Sequence, residues 1–156
     1  MVLTKHLILF VMKKILMCAA LAVATVHAHA ALFVNNNTNC DVSLEVYASD
    51  ANDPQVCAYF TWFKVPSHSS QAYNNPAALN WAGWLKTANG LNTPVGPMLA
   101  SGTWDAASAN RFPAPPEVGR PGSCAPGTLL TVPAGSCGYT ISWINVGGGN
   151  VLVDIN

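Results

Sequence analysis

Charge is what this sequence has least of. Seven lysines and arginines and seven aspartates and glutamates occur in 156 residues, and they balance to a formal net charge of zero. A protein that grips duplex nucleic acid needs a basic stripe to displace counterions from phosphates, and no such stripe exists, which excludes nucleic acid as a partner. Closely spaced cysteine pairs are also lacking. Beyond residue 30 the cysteines stand 17, 67 and 13 positions apart, and His68 is the only histidine there, which argues against the usual zinc sites. No apolar run beyond residue 30 approaches the roughly 20 residues that cross a bilayer as a helix. The sequence also contains no phosphate loop, dinucleotide fingerprint or nucleophile elbow, so no cofactor is expected.

What is present begins with an export signal. From Met12 the chain reads MKKILMCAALAVATVHAHA. Lys13 and Lys14 form a short positive start, Ile15 to Val26 an apolar run, and Ala28-His29-Ala30 the small-x-small pattern cut by a signal peptidase. Met12 alone begins a complete signal of bacterial appearance, so residues 1–11 read as a misassigned upstream start. Lipid attachment at Cys18 would need a small residue just before it, and Met17 stands there. The expected organisation is a signal peptide over residues 1–30 and a single secreted β domain over 31–156. That domain carries four cationic and seven acidic side chains, and its length suits one core. The expected location is secreted or periplasmic.

The cysteines agree with export. Loss of Cys18 leaves Cys40, Cys57, Cys124 and Cys137, an even number that predicts two disulfides in an oxidising compartment. Most of the chain reads as strand. CDVSLEVY alternates, with Cys40, Val42, Leu44 and Val46 on one face and Asp41, Ser43 and Glu45 on the other. Val56–Val65 is apolar on both faces, as a central strand is. TLLTVP, YTISWINV and VLVDIN follow, and the GGGN before the last predicts a hairpin because glycine accepts positive φ. Leu91 to Gly127 reads as long loops with an extra strand near Trp104. If the first two long strands pair as a hairpin with Cys40 opposite Phe63 and Cys57 opposite Val46, those two sulfurs lie on the order of 20 Å apart. A disulfide needs Cα atoms within about 7 Å, so both cysteines are expected to bond to the C-terminal half. Two pairings satisfy that condition.

The stretch NPAALNWAGWLKTANG predicts one short amphipathic helix over about residues 76–88. Asn75 suits the N-cap, Pro76 the first helical position and Gly90 the exit. At helical spacing Ala77, Ala78, Trp81, Ala82, Trp84, Leu85 and Ala88 share an apolar arc, and only Leu79 falls outside it. Trp81 lies mid-arc and is expected in the core; Trp84 lies at the edge, half exposed. The fold class is thus mainly β: an antiparallel β-sandwich with this helix packed on it and two disulfides.

Candidate sites are few. Asp50, Asn52 and Asp53 offer oxygen ligands in a tight loop, but calcium needs six or more and the acid that closes such a loop is missing; ordinary turn chemistry explains them as well. His68 stands among serines, with no acid to orient it. Acid-base pairs for glycoside hydrolysis would come from Asp41, Glu45, Asp50, Asp53, Asp105, Glu117 and Asp154, and the strand position of Asp41 and Glu45 predicts plain solvation. The leading expectation is a non-catalytic module acting by display, assembly or partner binding at the bacterial envelope or outside the cell. Its partner would be another envelope or extracellular protein, or a polysaccharide. The first alternative is a carbohydrate-binding module with Trp104 and Trp84 as stacking platform and Asp105 and Asn110 as hydrogen-bonding neighbours. The second is a small secreted hydrolase or toxin.

Overall fold

The computed structural model describes residues 30–88, 91–109, 115–133 and 137–156. Residues 1–29 of the expected signal peptide, Asn110 and Gly90 lie outside them. Among the described residues there are eleven strands: β1 (Leu32–Asn36), β2 (Val42–Ser49), β3 (Tyr59–Val65), β4 (Ser69–Tyr73), β5 (Trp84–Ala88), β6 (Leu91–Val95), β7 (Thr103–Ala109), β8 (Val118–Gly119), β9 (Leu129–Val132), β10 (Tyr139–Gly147) and β11 (Asn150–Ile155). They form a five-stranded sheet, β4-β1-β11-β10-β9, and a six-stranded sheet, β6-β5-β3-β2-β7-β8. Every pairing is antiparallel except that of β1 with β11. The sandwich foreseen from the alternating strands is the fold.

Its core follows from that alternation. Val42, Leu44, Val46 and Ala48 of β2 and Phe63 and Val65 of β3 meet Leu32 and Val34 of β1, Ile141 and Trp143 of β10, and Val151, Val153 and Ile155 of β11. Asn36 is the buried polar residue at one corner. Its amide donates to the carbonyls of Cys40, Val65 and Pro66, and its oxygen accepts from Thr38, so chain crossing between the sheets is satisfied internally. The hairpin β10–β11 turns through Gly147, Gly148 and Gly149, all at positive φ.

Three expectations need correction. The helix over 76–88 is a 3-10 helix only from Pro76 to Ala82, and Trp84–Ala88 is strand β5. A 3-10 helix repeats every three residues, so Pro76 and Leu79 face inward together and the arc drawn at α-helical spacing no longer applies. Leu79, the residue out of place on that arc, is fully buried, while Trp81 is 70% exposed. Gly83, at φ 78°, ends the helix and turns the chain into β5. There Trp84, expected half exposed, is 2% exposed in the core.

The second correction is register. Leu44 faces Phe63, four residues away from the expected alignment, because β3 starts at Tyr59 and Cys57 sits before it at positive φ. An even shift keeps every side chain on its face, so the core assignment survives. The third is β7. Between Tyr47↔Ala106 and Ala48↔Trp104 the register jumps, leaving Asp105 as the extra residue of a bulge. The bulge flips parity, and Trp104 turns inward with Ala107 and Ala109.

Both disulfides cross the molecule as expected. Cys40 bonds to Cys137 and Cys57 to Cys124, with Cα separations of 6.3 and 6.2 Å.

Candidate functional site

The rings expected to form a sugar platform lie in the core instead. Trp104 is 1% exposed, its indole N–H donates to the Ala30 carbonyl at 2.8 Å, and its ring sits 6.2 Å from that of Trp84. Neither offers a face to a ligand. Asp105, expected beside them as a ligand-binding group, is fully buried and tied down. One carboxylate oxygen accepts from Arg120 at 2.9 and 2.7 Å, and the other accepts the Cys57 N–H at 2.8 Å. The bulge thereby holds both the loop after β8 and the Cys57–Cys124 bridge. Gly119 permits this: an added Cβ would stand 2.6 Å from the Asp105 carbonyl oxygen.

The acidic loop closes on itself. Asp50 and Asp53 exchange backbone hydrogen bonds, and the Asp50 carboxylate accepts from the N–H groups of Asn52 and Leu99. Asp53 pairs with Lys86, which lies over the Tyr59 ring. The hydrogen bond from Lys86 holds the Asp53 carboxyl below the usual carboxylate range, and the same contact raises Lys86. The Asp50 carboxylate is thus engaged by backbone N–H groups and the Asp53 carboxylate by Lys86. Among the described residues no cluster of three or more His, Cys, Asp or Glu is placed to hold a metal. His68 Nε2 lies 2.8 Å from the Asn39 amide oxygen, and the Ser69 and Ser70 hydroxyls donate to the Pro66 carbonyl and the Asn35 amide oxygen.

The outer face of the six-stranded sheet carries a second, smaller core. Tyr47, Phe60 and Ala106 pack there under Cys57, Leu85 and Ala125, with the Tyr47 and Phe60 rings 5.8 Å apart. Next to it an acidic group forms across three strands. The Tyr47 hydroxyl donates to Glu45, and the Ser108 hydroxyl, opposite Glu45 in register, donates to Glu117 at 3.0 Å. Glu45 is buried, contrary to its expected solvation. Burial first, then the hydrogen bond to Glu45 and the charges of Glu45 and Glu117, push the Tyr47 phenol far above its ordinary value. Burial and Glu117 push Tyr139 up to about 12. The arrangement keeps both phenols protonated.

The accessible indoles are Trp62, which carried no expectation, and Trp81, which was expected in the core. Trp62 is 41% exposed on the outer face of β3, and Trp81 stands out from the 3-10 helix. The polar Lys64 at the same parity was the available signal for Trp62, since it marks the even positions of β3 as outward. On the five-stranded sheet, Ala72, Phe33, Leu152 and Ile144 line up across four neighbouring strands, with Val146 beyond. Phe33, Ile144 and Val146 are exposed. A shallow groove of about 460 Å³ runs beside β4, lined by Phe33, Asn35, Ser70, Ala72 and Leu152 among others. The neighbouring row is polar: Ser70 donates to Asn35, and Asn35 to Asp154.

Against known proteins, the chain matches no family model, no curated protein and no solved structure.

Proposed function

We propose that this chain is a non-catalytic, exported β-sandwich module that acts by display, assembly or partner binding at the cell envelope or outside the cell. The observation that carries the reading is the apolar row of exposed Phe33, Ile144 and Val146 with half-buried Leu152 between them, flanked by the polar row of Asn35 and Asp154. A sheet face that is merely solvated is polar on its outward positions; an apolar strip with a hydrogen-bonding border has the anatomy of a contact surface. Two crossing disulfides support a life in an oxidising compartment. The partner is another envelope or extracellular protein with an apolar patch of its own. A hydrolase built on Glu45 and Glu117 is the weaker reading, because Tyr47 and Ser108 already engage those carboxylates.

Cross-linking of the tagged chain in its native envelope or medium, followed by mass spectrometry, tests the proposal. Phe33→Asp with Ile144→Asp is expected to abolish a cross-link that the unaltered chain forms to one specific protein. A set of cross-links that the double variant leaves intact would sink it.

A further inference from the structure

We infer that two copies of this chain join edge to edge through β4, as antiparallel strands related by a two-fold axis at Gln71. The joint uses the backbone of an edge strand, and it does not depend on the partner proposed for the apolar row.

An edge strand presents a row of backbone N–H and C=O groups that another strand can pair. Proteins blunt such edges with proline, charge, bulges or short length. Among the described residues the two sheets end in four edges, β4, β9, β6 and β8. β6 contains Pro94, which has no N–H to give, and β8 is two residues long. β9 is four residues long and runs into Pro133. β4 has none of these guards. It pairs with β1 over all five residues, Ser69 to Tyr73, with no shift in register. No Asp, Glu, Lys or Arg stands between Lys64 and Lys86. The polar side chains of β4 are turned back into their own chain. Ser69 donates to the Pro66 carbonyl, Ser70 to Asn35, the Gln71 amide to the Lys64 carbonyl, and the Tyr73 hydroxyl to Gln71. Among the described residues no bond from another segment reaches the outer backbone of β4.

A second copy suits this edge because a two-fold pairing is self-complementary here. With Gln71 facing Gln71 of the second copy, Ser69 faces Tyr73 and Ser70 faces Ala72. Ser70 and Ala72 are exposed on the outer face and are small, so no bulky side chain props the sheets apart there. On the other face Tyr73 packs against Phe63, with ring centroids 5.1 Å apart, and the small Ser69 stands opposite it. Like charges brought face to face by the axis would repel, and β4 has none. The two five-stranded sheets then run on as one. Their apolar rows come to lie on one continuous face, offset by two residues, or about 7 Å. A partner wide enough to touch both rows is then held twice by one assembly. A joint of five residues a side is small, so the dimer is weak and forms where the chain is concentrated.

Sedimentation equilibrium of the full chain, from micromolar to millimolar concentration, tests the joint. A monomer–dimer equilibrium is expected. Ser70→Lys with Ala72→Lys sets lysine against lysine twice across the axis and is expected to weaken the dimer by about tenfold or more. Ser70→Lys with Ala72→Glu sets lysine against glutamate twice and should keep the dimer within about threefold of the unaltered chain. The second variant recovers what the first loses only when the strands are antiparallel and in this register. Ile144→Asp, three strands from the joint, is expected to leave the dimer unchanged, so that the dimer and the partner proposal fail separately. Near-ultraviolet circular dichroism checks that each variant keeps the native core signal of Trp84 and Trp104. Should Ser70→Lys with Ala72→Glu lose it, Ser70→Glu with Ala72→Lys takes its place with the same expectation. A chain that stays monomeric up to millimolar concentration overturns the inference. So does a dimer that the lysine–lysine variant leaves intact, one that the lysine–glutamate variant fails to recover, or one that Thr131→Lys on the β9 edge removes instead.

Discussion

The two outer faces of the sandwich are built on the same strand pattern and have opposite fates. The face of the five-stranded sheet is bare: Phe33, Ile144 and Val146 meet solvent directly. The face of the six-stranded sheet is largely roofed: the loop from β8 to β9 is fastened over Tyr47, Phe60 and Ala106 by Cys57–Cys124 and by Arg120 on Asp105. Apolar outward residues on a strand therefore do not say by themselves whether a face is a contact surface or a second core. What decides is whether the chain has a segment, and a fastening, with which to cover them.

The comparison can be broken most forcefully at the fastening. Replacing Cys57 and Cys124 together by alanine removes a bond that closes a 67-residue separation, and a loss of about 4 kcal/mol is expected in urea melts from chain entropy alone. A loss below about 1 kcal/mol would mean that the roof stays in place without its bridge. Phe60→Ala on the roofed face is expected to cost about 3–4 kcal/mol, as for any large aromatic taken from a packed site. A near-neutral result there would make the small core a surface after all.

Burial of the Tyr139 phenol in the main core, with the charge of Glu117 as the lesser cause, is read out at high pH. The phenol titrates at about 12 in the folded chain against an ordinary value of 10.0, so the unfolded chain loses its proton first as pH rises. Stability from this group is complete below about pH 10 and declines by about 2–3 kcal/mol by pH 12. Tyr139→Phe should flatten that alkaline decline while leaving stability near pH 7 unchanged or slightly higher, since the buried hydroxyl has no hydrogen-bond partner among the described residues. Denaturant midpoints across pH 8–12 check it; an unchanged slope would detach Tyr139 from the effect. The smallest effect belongs to the bare face. Phe33→Ser is expected to shift stability by no more than about 0.5–1 kcal/mol, and a larger loss would show that something in the chain already covers it.

Much of this was legible before any coordinates. The period-2 alternation of β2 fixed the core face of that strand, the glycines at 147–149 marked the last hairpin, and the geometric bar on Cys40–Cys57 pointed both cysteines to the far half. The sites were less legible, for physical reasons. The bulge at Asp105 changes which way Trp104 points, and one inserted residue leaves no mark in composition. The 3-10 winding over Pro76–Ala82 goes with the burial of Leu79 and Trp84 in the core, where Trp84 meets Trp104 of β7, a contact distant in sequence. That choice exchanged the fates of Trp81 and Trp84. Glu117 joined Glu45 only because β8 pairs with β7.

The crossing disulfides also impose an order of events. A chain delivered N-terminus first presents Cys40 and Cys57 to an oxidant 67 residues before either native partner emerges, and the first strand, β1, waits for the last, β11. An oxidase that joins thiols as they appear makes the wrong bond, which must then be broken by thiolate attack before the sandwich can close. Where disulfides form as the chain emerges, the yield of the native pairing is expected to rise and fall with the isomerase available in that compartment.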